Sequence, residues 1–282
     1  MAGYLWQGWS FPGVPGLDFS GVVEEVGEGV TTVFPGDSVL GISWNSGVDD
    51  PEPFIGGAYG EYFLIAAYKL VRKPESMSFE TAASIGCAGI TAYQTLVDVG
   101  KVRAGTKLLI LGASTAVGTV AMQLAKHLGA YVTVTSSSRA LSYVHQFGSA
   151  DKVVNYNEKR WEEDAELKDL DVILDCAGEP RALERAVEHS VLKRDGIFVS
   201  IANFSVGLDP AAHPPLRFAA FYGTHQDTAH LAAVTDLVQR GILRVPIEAS
   251  FPFTTEGVQR MLEKVFSGKS LGKNILLIAP GH

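Results

Sequence analysis

Cysteine is scarce in this chain: its 282 residues include two, Cys87 and Cys176, far apart in sequence. Two thiols are too few for a disulfide scaffold, and they fit a reducing compartment, so a cytoplasmic location is expected. Basic charge is also short, with 23 Lys and Arg against 31 Asp and Glu, a net charge of −8. A surface that binds a phosphate backbone is basic, so bulk electrostatics favour no nucleic-acid partner. No apolar run reaches the ~18–20 residues of a membrane-spanning helix, so no membrane partner is expected either. The opening MAGYLWQGWSFPG lacks the basic-then-apolar order of a secretory signal. Internal repeats and low-complexity tracts are missing. What remains is a hydrophobic share of 46% against 19% charged, the balance of a packed globular protein. The length suggests two domains and is ample for a large core.

Residues 1–80 read as β-rich and loop-rich, with expected strands at 21–26, 38–42 and 61–66. Pro35-Gly36-Asp37 supplies a turn. From about Phe79 the pattern changes, and strands alternate with amphipathic helices. Strands are expected at 107–111, 131–135, 152–155, 171–175 and 196–201, and helices at 119–128, 139–147 and 181–192. Further helices at 231–239 and 254–267 precede a last strand at 274–278. Repeated β-α-β order with short connections predicts a parallel sheet with helices on both faces.

The first of these strands, KLLIL, runs into a small-residue turn, Gly112-Ala113-Ser114-Thr115-Ala116-Val117-Gly118, and then a helix. Small residues there let a pyrophosphate approach backbone N–H groups at the helix N-terminus. Gly118 falls where helix and strand pack closely. Glycines are otherwise few. Thr115 stands where glycine would be easier; its Cβ narrows the turn while its hydroxyl offers a hydrogen bond. A plain β-α-β unit without ligand is the competing reading. An NAD-binding fold usually carries Asp or Glu about 20 residues further on, to hold the ribose 2′-OH. Here that strand ends in Thr135-Ser136-Ser137-Ser138-Arg139, with no carboxylate. Hydroxyls and a guanidinium suit a 2′-phosphate, so NADP(H) is expected over NAD(H). A serine N-cap followed by a solvated Arg gives the same string, and both readings can hold together.

Seven further motifs follow in order. They are Val14-Pro15-Gly16-Leu17-Asp18-Phe19-Ser20-Gly21-Val22-Val23, Phe34-Pro35-Gly36-Asp37-Ser38-Val39, Gly57-Ala58-Tyr59-Gly60-Glu61-Tyr62 and Ala88-Gly89-Ile90-Thr91-Ala92-Tyr93, then Val153-Val154-Asn155-Tyr156, Phe251-Pro252-Phe253 and Gly272-Lys273-Asn274. With these the chain resembles, along nearly its whole length, the medium-chain dehydrogenase/reductase superfamily in its zinc-lacking quinone oxidoreductase (zeta-crystallin-like) and enoyl reductase branch. The resemblance implies an α/β fold. A Rossmann domain with a doubly wound parallel sheet, residues 88–247, is inserted in a β-rich, GroES-like catalytic domain made of residues 1–87 and 248–282. It also implies that Thr91 faces the nicotinamide, and that Ser114, Thr115, Ala116, Val117 and Gly118 line the pyrophosphate. Ser136, Ser137, Ser138, Arg139 and Tyr156 would surround the 2′-phosphate, and Cys176 and Ala177 would lie by the adenosine. Ile201, Ala202, Asn203, Phe221, Tyr222 and Gly223 would fall near the nicotinamide. The chain starts well inside the family's pattern, so its catalytic domain is expected to be incomplete at the N-terminus, through a naturally short chain or a truncated gene model. The aromatic lead segment, Tyr4, Leu5, Trp6, Trp9 and Phe11, is then expected to cover the exposed face.

Catalytic zinc in the related alcohol dehydrogenases needs Cys, His or Glu, and Cys on separated segments. Where those relatives have Gly-His-Glu, this chain has Gly16-Leu17-Asp18, and Leu cannot bind metal. Cys87 lies near one ligand position but reads as a buried small hydrophobe. The seven histidines are scattered without metal spacing, so no metal is expected. The function implied is NADPH-dependent hydride transfer to a quinone or an α,β-unsaturated carbonyl or enoyl substrate, bound between the domains. No catalytic side chain is identified. The alternative is a family member that binds NADP(H) with little redox activity, as a structural protein or non-redox biosynthetic enzyme. A homodimer is expected, partly from the resemblance and partly because residues 216–222 (LRFAAFY) form an apolar run where an edge strand should fall.

Overall fold

A computed structural model of the chain describes residues 13–43, 57–147, 150–207 and 216–278. The lead segment 1–12 lies outside them. In chain order the elements are β1 (Asp18–Val22), β2 (Ser38–Ile42), β3 (Leu70–Arg72), α1 (Phe79–Tyr93), β4 (Lys107–Leu111), α2 (Ala116–His127), β5 (Tyr131–Ser136), α3 (Leu141–Gln146), β6 (Lys152–Asn155), β7 (Leu170–Asp175), α4 (Ala182–Glu188), β8 (Leu192–Ser200), β9 (Phe218–Phe221), α5 (Thr228–Gln239), β10 (Ile247–Pro252), α6 (Thr255–Phe266) and β11 (Lys273–Leu277). Contacts divide them into two compact units. One holds the residues up to Ile90, Thr224–Gly241 and those from Val245 on; the other holds Thr91–Gly223 and Ile242–Arg244.

In the first unit β1, β2 and β3 form an antiparallel sheet, and β10 and β11 form a parallel pair. Phe19, Val33, Val39 and Ala58 make its small core, with Phe63, Ile65 and Leu70 packed against it. The run 61–66, expected as a strand, is not one; a 3₁₀ turn, Ala67–Lys69, and the short β3 follow it. Its alternation is nonetheless real. Phe63 and Ile65 go to the core, while Tyr62 and Leu64 are 76% and 70% exposed. Alternation selects the faces of an extended segment, but a strand also needs a backbone partner, and none stands beside this run among the described residues. The C-terminal strand is tied to the first one. The Lys273 ammonium pairs with the Asp18 carboxylate, whose other oxygen accepts from the Cys87 N–H at 2.6 Å. Burial pulls the Lys273 ammonium down, and Asp18, Cys87 and Tyr59 outweigh it, holding its pKa above the ordinary value.

The second unit is an α/β fold around a six-stranded sheet of order β6-β5-β4-β7-β8-β9, parallel at every pair. β4 reads as a continuous apolar run because helices cover both faces, and Leu108, Leu109, Ile110 and Leu111 are fully buried. Each such side chain contributes roughly 1.5–3 kcal/mol of burial. The chain leaves β4 toward β5 and β6, then returns to β7 on the other side. The reversal opens a crevice at the carboxyl ends beside β4, where an open α/β sheet of this order binds a dinucleotide. One expected helix is cut short. Residues 181–192 were read as one apolar stripe, but α4 ends at Glu188 and Leu192 opens β8. Ser190 takes a left-handed φ of 53°. Leu192 pairs with Leu170 in the sheet, so ladder hydrogen bonds override the helical periodicity.

Candidate nucleotide site

The phosphate turn is built by two glycines and a threonine. Gly112 follows β4 at φ 88°, which only glycine adopts freely. A Cβ on Gly118 would lie 2.2 Å from the Gly112 carbonyl oxygen, so the first turn of α2 sits directly against the end of β4. Thr115 is the N-cap of α2: its hydroxyl accepts from the Gly118 N–H at 2.9 Å and donates to the Gly112 oxygen at 3.0 Å. That hydroxyl caps the helix, a use that contributes about 1 kcal/mol to it. Ser114, Ala116 and Val117 are half-buried around it, and Gly118 is buried.

At the neighbouring strand end, Ser136, Ser137, Ser138 and Arg139 diverge. Ser136 is 1% exposed and its hydroxyl donates to the Ser137 oxygen. Ser138 and Arg139 are exposed, Ser137 half-buried. The loop after β6 meets them. The Tyr156 N–H donates to the Ser136 oxygen at 3.0 Å, and the Tyr156 side chain is exposed. Asn155 donates to the Ser138 hydroxyl at 2.9 Å and to Glu158 at 2.6 Å, and the Asn157 side chain accepts from the Ser138 N–H at 2.9 Å. Asn155 falls within the motif 153–156 but without an expected role, and no local motif marks Asn157 and Glu158; the β5–β6 pairing brings them here.

On the other side of the phosphate turn lie Cys176 and Ala177, at the end of β7. A Cβ on Gly112 would stand 3.1 Å from the Ala177 Cβ, so the two loops touch. Burial pushes the Cys176 thiol far up, Asp175 adds to this, and a hydrogen bond with Thr115 opposes it, which leaves an inert thiol at neutral pH. Ile201, Ala202 and Asn203 follow β8, half-buried, and the Ile201 N–H donates to the Asp175 oxygen at 3.0 Å. Phe221 and Tyr222 end β9 beside them, with the Tyr222 N–H on the Ser200 oxygen at 2.8 Å; Gly223 is exposed. Thr91 is buried in the last turn of α1. Three residues on, in a π-helical stretch, buried Gln94 accepts from the Tyr222 hydroxyl at 3.5 Å. The sheet order thus arranges the expected residues as an arc: Ser136–Arg139 and Tyr156, the phosphate turn, Cys176–Ala177, then residues 201–203 and 221–223.

Other expectations fare differently. Cys87 is half-buried rather than buried. His225 and His230, 6.5 Å apart between ring centres, stand at the start of α5, where Asp227 caps the helix through the His230 N–H at 2.9 Å. Among the described residues, no group of three His, Cys, Asp or Glu side chains could hold a metal ion, and no helix is long and apolar enough to cross a membrane.

Residues 1–75 match the alcohol dehydrogenase GroES-like domain family, and residues 116–228 match the zinc-binding dehydrogenase family. The chain is 30% identical over 269 residues to 2-methylene-furan-3-one reductase of Solanum lycopersicum, covering 94% of this chain and 63% of that one. It is 30% identical over 296 residues to human "NAD(P)H oxidoreductase RTN4IP1, mitochondrial", covering 96% of this chain and 72% of that one. Among solved structures, the Escherichia coli quinone oxidoreductase complexed with NADPH superposes with a TM-score of 0.80 at 26% identity, covering 97% of this chain and 85% of that one.

Proposed function

The chain belongs to the medium-chain dehydrogenase/reductase superfamily, in its quinone oxidoreductase branch, and from that premise we propose that it is an NADPH-dependent, zinc-independent reductase of quinones or α,β-unsaturated carbonyl or enoyl compounds. The observation that carries this reading is the phosphate turn at the crevice of the parallel sheet, with a glycine cradle that a Cβ would fill. The residues fit a dinucleotide. Backbone N–H groups of Ser114, Ala116 and Val117 at the start of α2 suit a pyrophosphate. Ser137, Ser138, Arg139 and Tyr156, at a strand end without a carboxylate, suit a 2′-phosphate. Thr91, residues 201–203 and residues 221–223 are the proposed nicotinamide end. Bound NADPH supplies the hydride, and the protein orients it and excludes water. Leu17, in place of a ligating His, supports a reaction without zinc.

Calorimetric titration and a panel of quinones and enones test this reading. NADPH is expected to bind about tenfold more tightly than NADH, since a charge-assisted hydrogen bond is at stake. Equal affinities would remove the NADP assignment, and absence of cofactor oxidation across the panel would remove the reductase. Elemental analysis is expected to find no stoichiometric zinc. One zinc per chain, lost together with activity under a chelator, would overturn that part.

A further inference from the structure

Asp175, the last residue of β7, has no surface to offer and no assigned role. It is 0% exposed, and so is Ser200, the residue paired with it across the β7–β8 ladder. Its two oxygens do different things. Oδ1 accepts from the N–H groups of Ala177 at 3.0 Å, Gly178 at 2.8 Å and Glu179 at 3.5 Å, folding the loop after β7 around the carboxylate. Oδ2 accepts from the Ser200 hydroxyl at 2.9 Å. The Ser200 oxygen in turn accepts from the N–H groups of Asn203 at 2.9 Å and Ala202 at 3.3 Å, folding the loop after β8. One buried carboxylate therefore fixes two loops, and the loops touch: a Cβ on Gly178 would lie 3.1 Å from the Ala202 oxygen. The far end of the first loop is anchored separately, by the Glu179 carboxylate on Trp161 at 2.9 Å and Arg185 at 2.6 Å.

Stability alone does not explain a carboxylate here. Burial pushes the Asp175 pKa above the ordinary value, and the hydrogen bonds from Ser200 and the three amides do not fully offset it. Its folded value is raised, so folding disfavours the ionised form. Groups kept at such a cost cluster where a site needs them. The two loops lie on the opposite side of the phosphate turn from Ser136–Arg139, the first of them against Gly112. A dinucleotide laid across the crevice from the β5 end has its second half over the later of them, residues 201–203.

We propose that Asp175, acting through Ser200, is a positioning residue that sets the loop after β8, which lines the half of the dinucleotide site beyond the phosphate turn. This rests on the dinucleotide reading above. In D175N the amide oxygen still accepts from the first loop. Its NH₂ group, however, adds a third donor to the Ser200 oxygen and offers its hydroxyl no acceptor, so the second loop is released. S200A removes the link outright.

The test measures binding of NADP⁺ and of adenosine 2′,5′-bisphosphate, the half that stops short of the loop after β8, with NAD⁺ and AMP as parallel probes. The full chain, D175N and S200A are compared, each with its melting temperature. Expected are about tenfold weaker NADP⁺ or NAD⁺ binding in both variants, unchanged affinity for the half-ligands, and a lowered melting temperature in D175N, where the buried Ser200 hydroxyl loses its acceptor. Dinucleotide affinity equal to that of the parent chain in both variants would overturn the proposal. So would parallel loss of whole and half ligands, which marks a general structural defect. A parent chain that binds none of the four overturns the dinucleotide reading itself.

Discussion

Arg139 and Ser138 are exposed at the end of β5, while Ser136 beside them is buried with its hydroxyl spent on a backbone oxygen. Selectivity at this end therefore rests on few groups. Arg139→Ala is expected to weaken NADPH binding by about 1–3 kcal/mol and leave NADH nearly unchanged, as calorimetry on both cofactors would show. An equal loss for both would mean that Arg139 acts on the shared part of the molecule. Single residues were legible in sequence where their reason is local. Gly112 and Gly118 announce a turn that needs φ above zero and a close helix–strand approach. Thr115 was legible only in part, because a cap and a ligand contact call for the same hydroxyl. Asp175 was not legible at all. Its partner Ser200 stands 25 residues away, and only the β7–β8 register makes them neighbours.

The strand β4 and helix α2 act as one element at the crevice, joined through Gly118. Gly118→Ala places a methyl 2.2 Å from the Gly112 oxygen, a backbone atom that cannot swing aside. The helix must shift away from the strand, carrying the N–H groups of its first turn with it. Loss of cofactor affinity of at least tenfold is expected, together with about 1–3 kcal/mol of lost stability from the strained packing. Denaturant unfolding and NADP⁺ titration of the variant check both, and an unaffected affinity would show that the helix position is not what holds the phosphates. Elements were readable from sequence in proportion to their burial. β4 is a continuous buried apolar run after Lys107, and β7 holds the buried run 172–174, whereas the stripe of helix α6 buries Met261 and leaves Val265 exposed. Two of the misreadings have one cause. Residues 61–66 and 181–192 show correct local periodicities, but whether a segment joins a sheet depends on a partner strand elsewhere.

At the scale of the molecule, the second unit's sheet ends on two unlike edges. On one side β6 carries Lys152, whose ammonium pairs with Asp164 at 2.9 Å and Glu166 at 2.5 Å, and such charges discourage strand pairing. On the other side β9 reads FAAF, with no charge within it. Among the described residues, the segment 204–207 lies against it. The Phe221 N–H donates to the Val206 oxygen at 3.1 Å, a Cβ on Gly207 would meet the Ala219 oxygen at 2.1 Å, and the Phe204 ring stacks on Phe221 with centroids 4.2 Å apart. An apolar, uncharged edge strand is a template for a second copy, and a two-fold axis through it would pair β9 with β9 antiparallel. We therefore expect a homodimer in solution, with light scattering at micromolar concentration giving twice the 30.2 kDa chain mass. Phe218→Lys puts a charge at the start of this strand, and is expected to yield a monomer that still binds NADP⁺. A parent chain that scatters as a clean monomer would mean that the 204–207 segment is cover enough, and that this edge is closed within one chain.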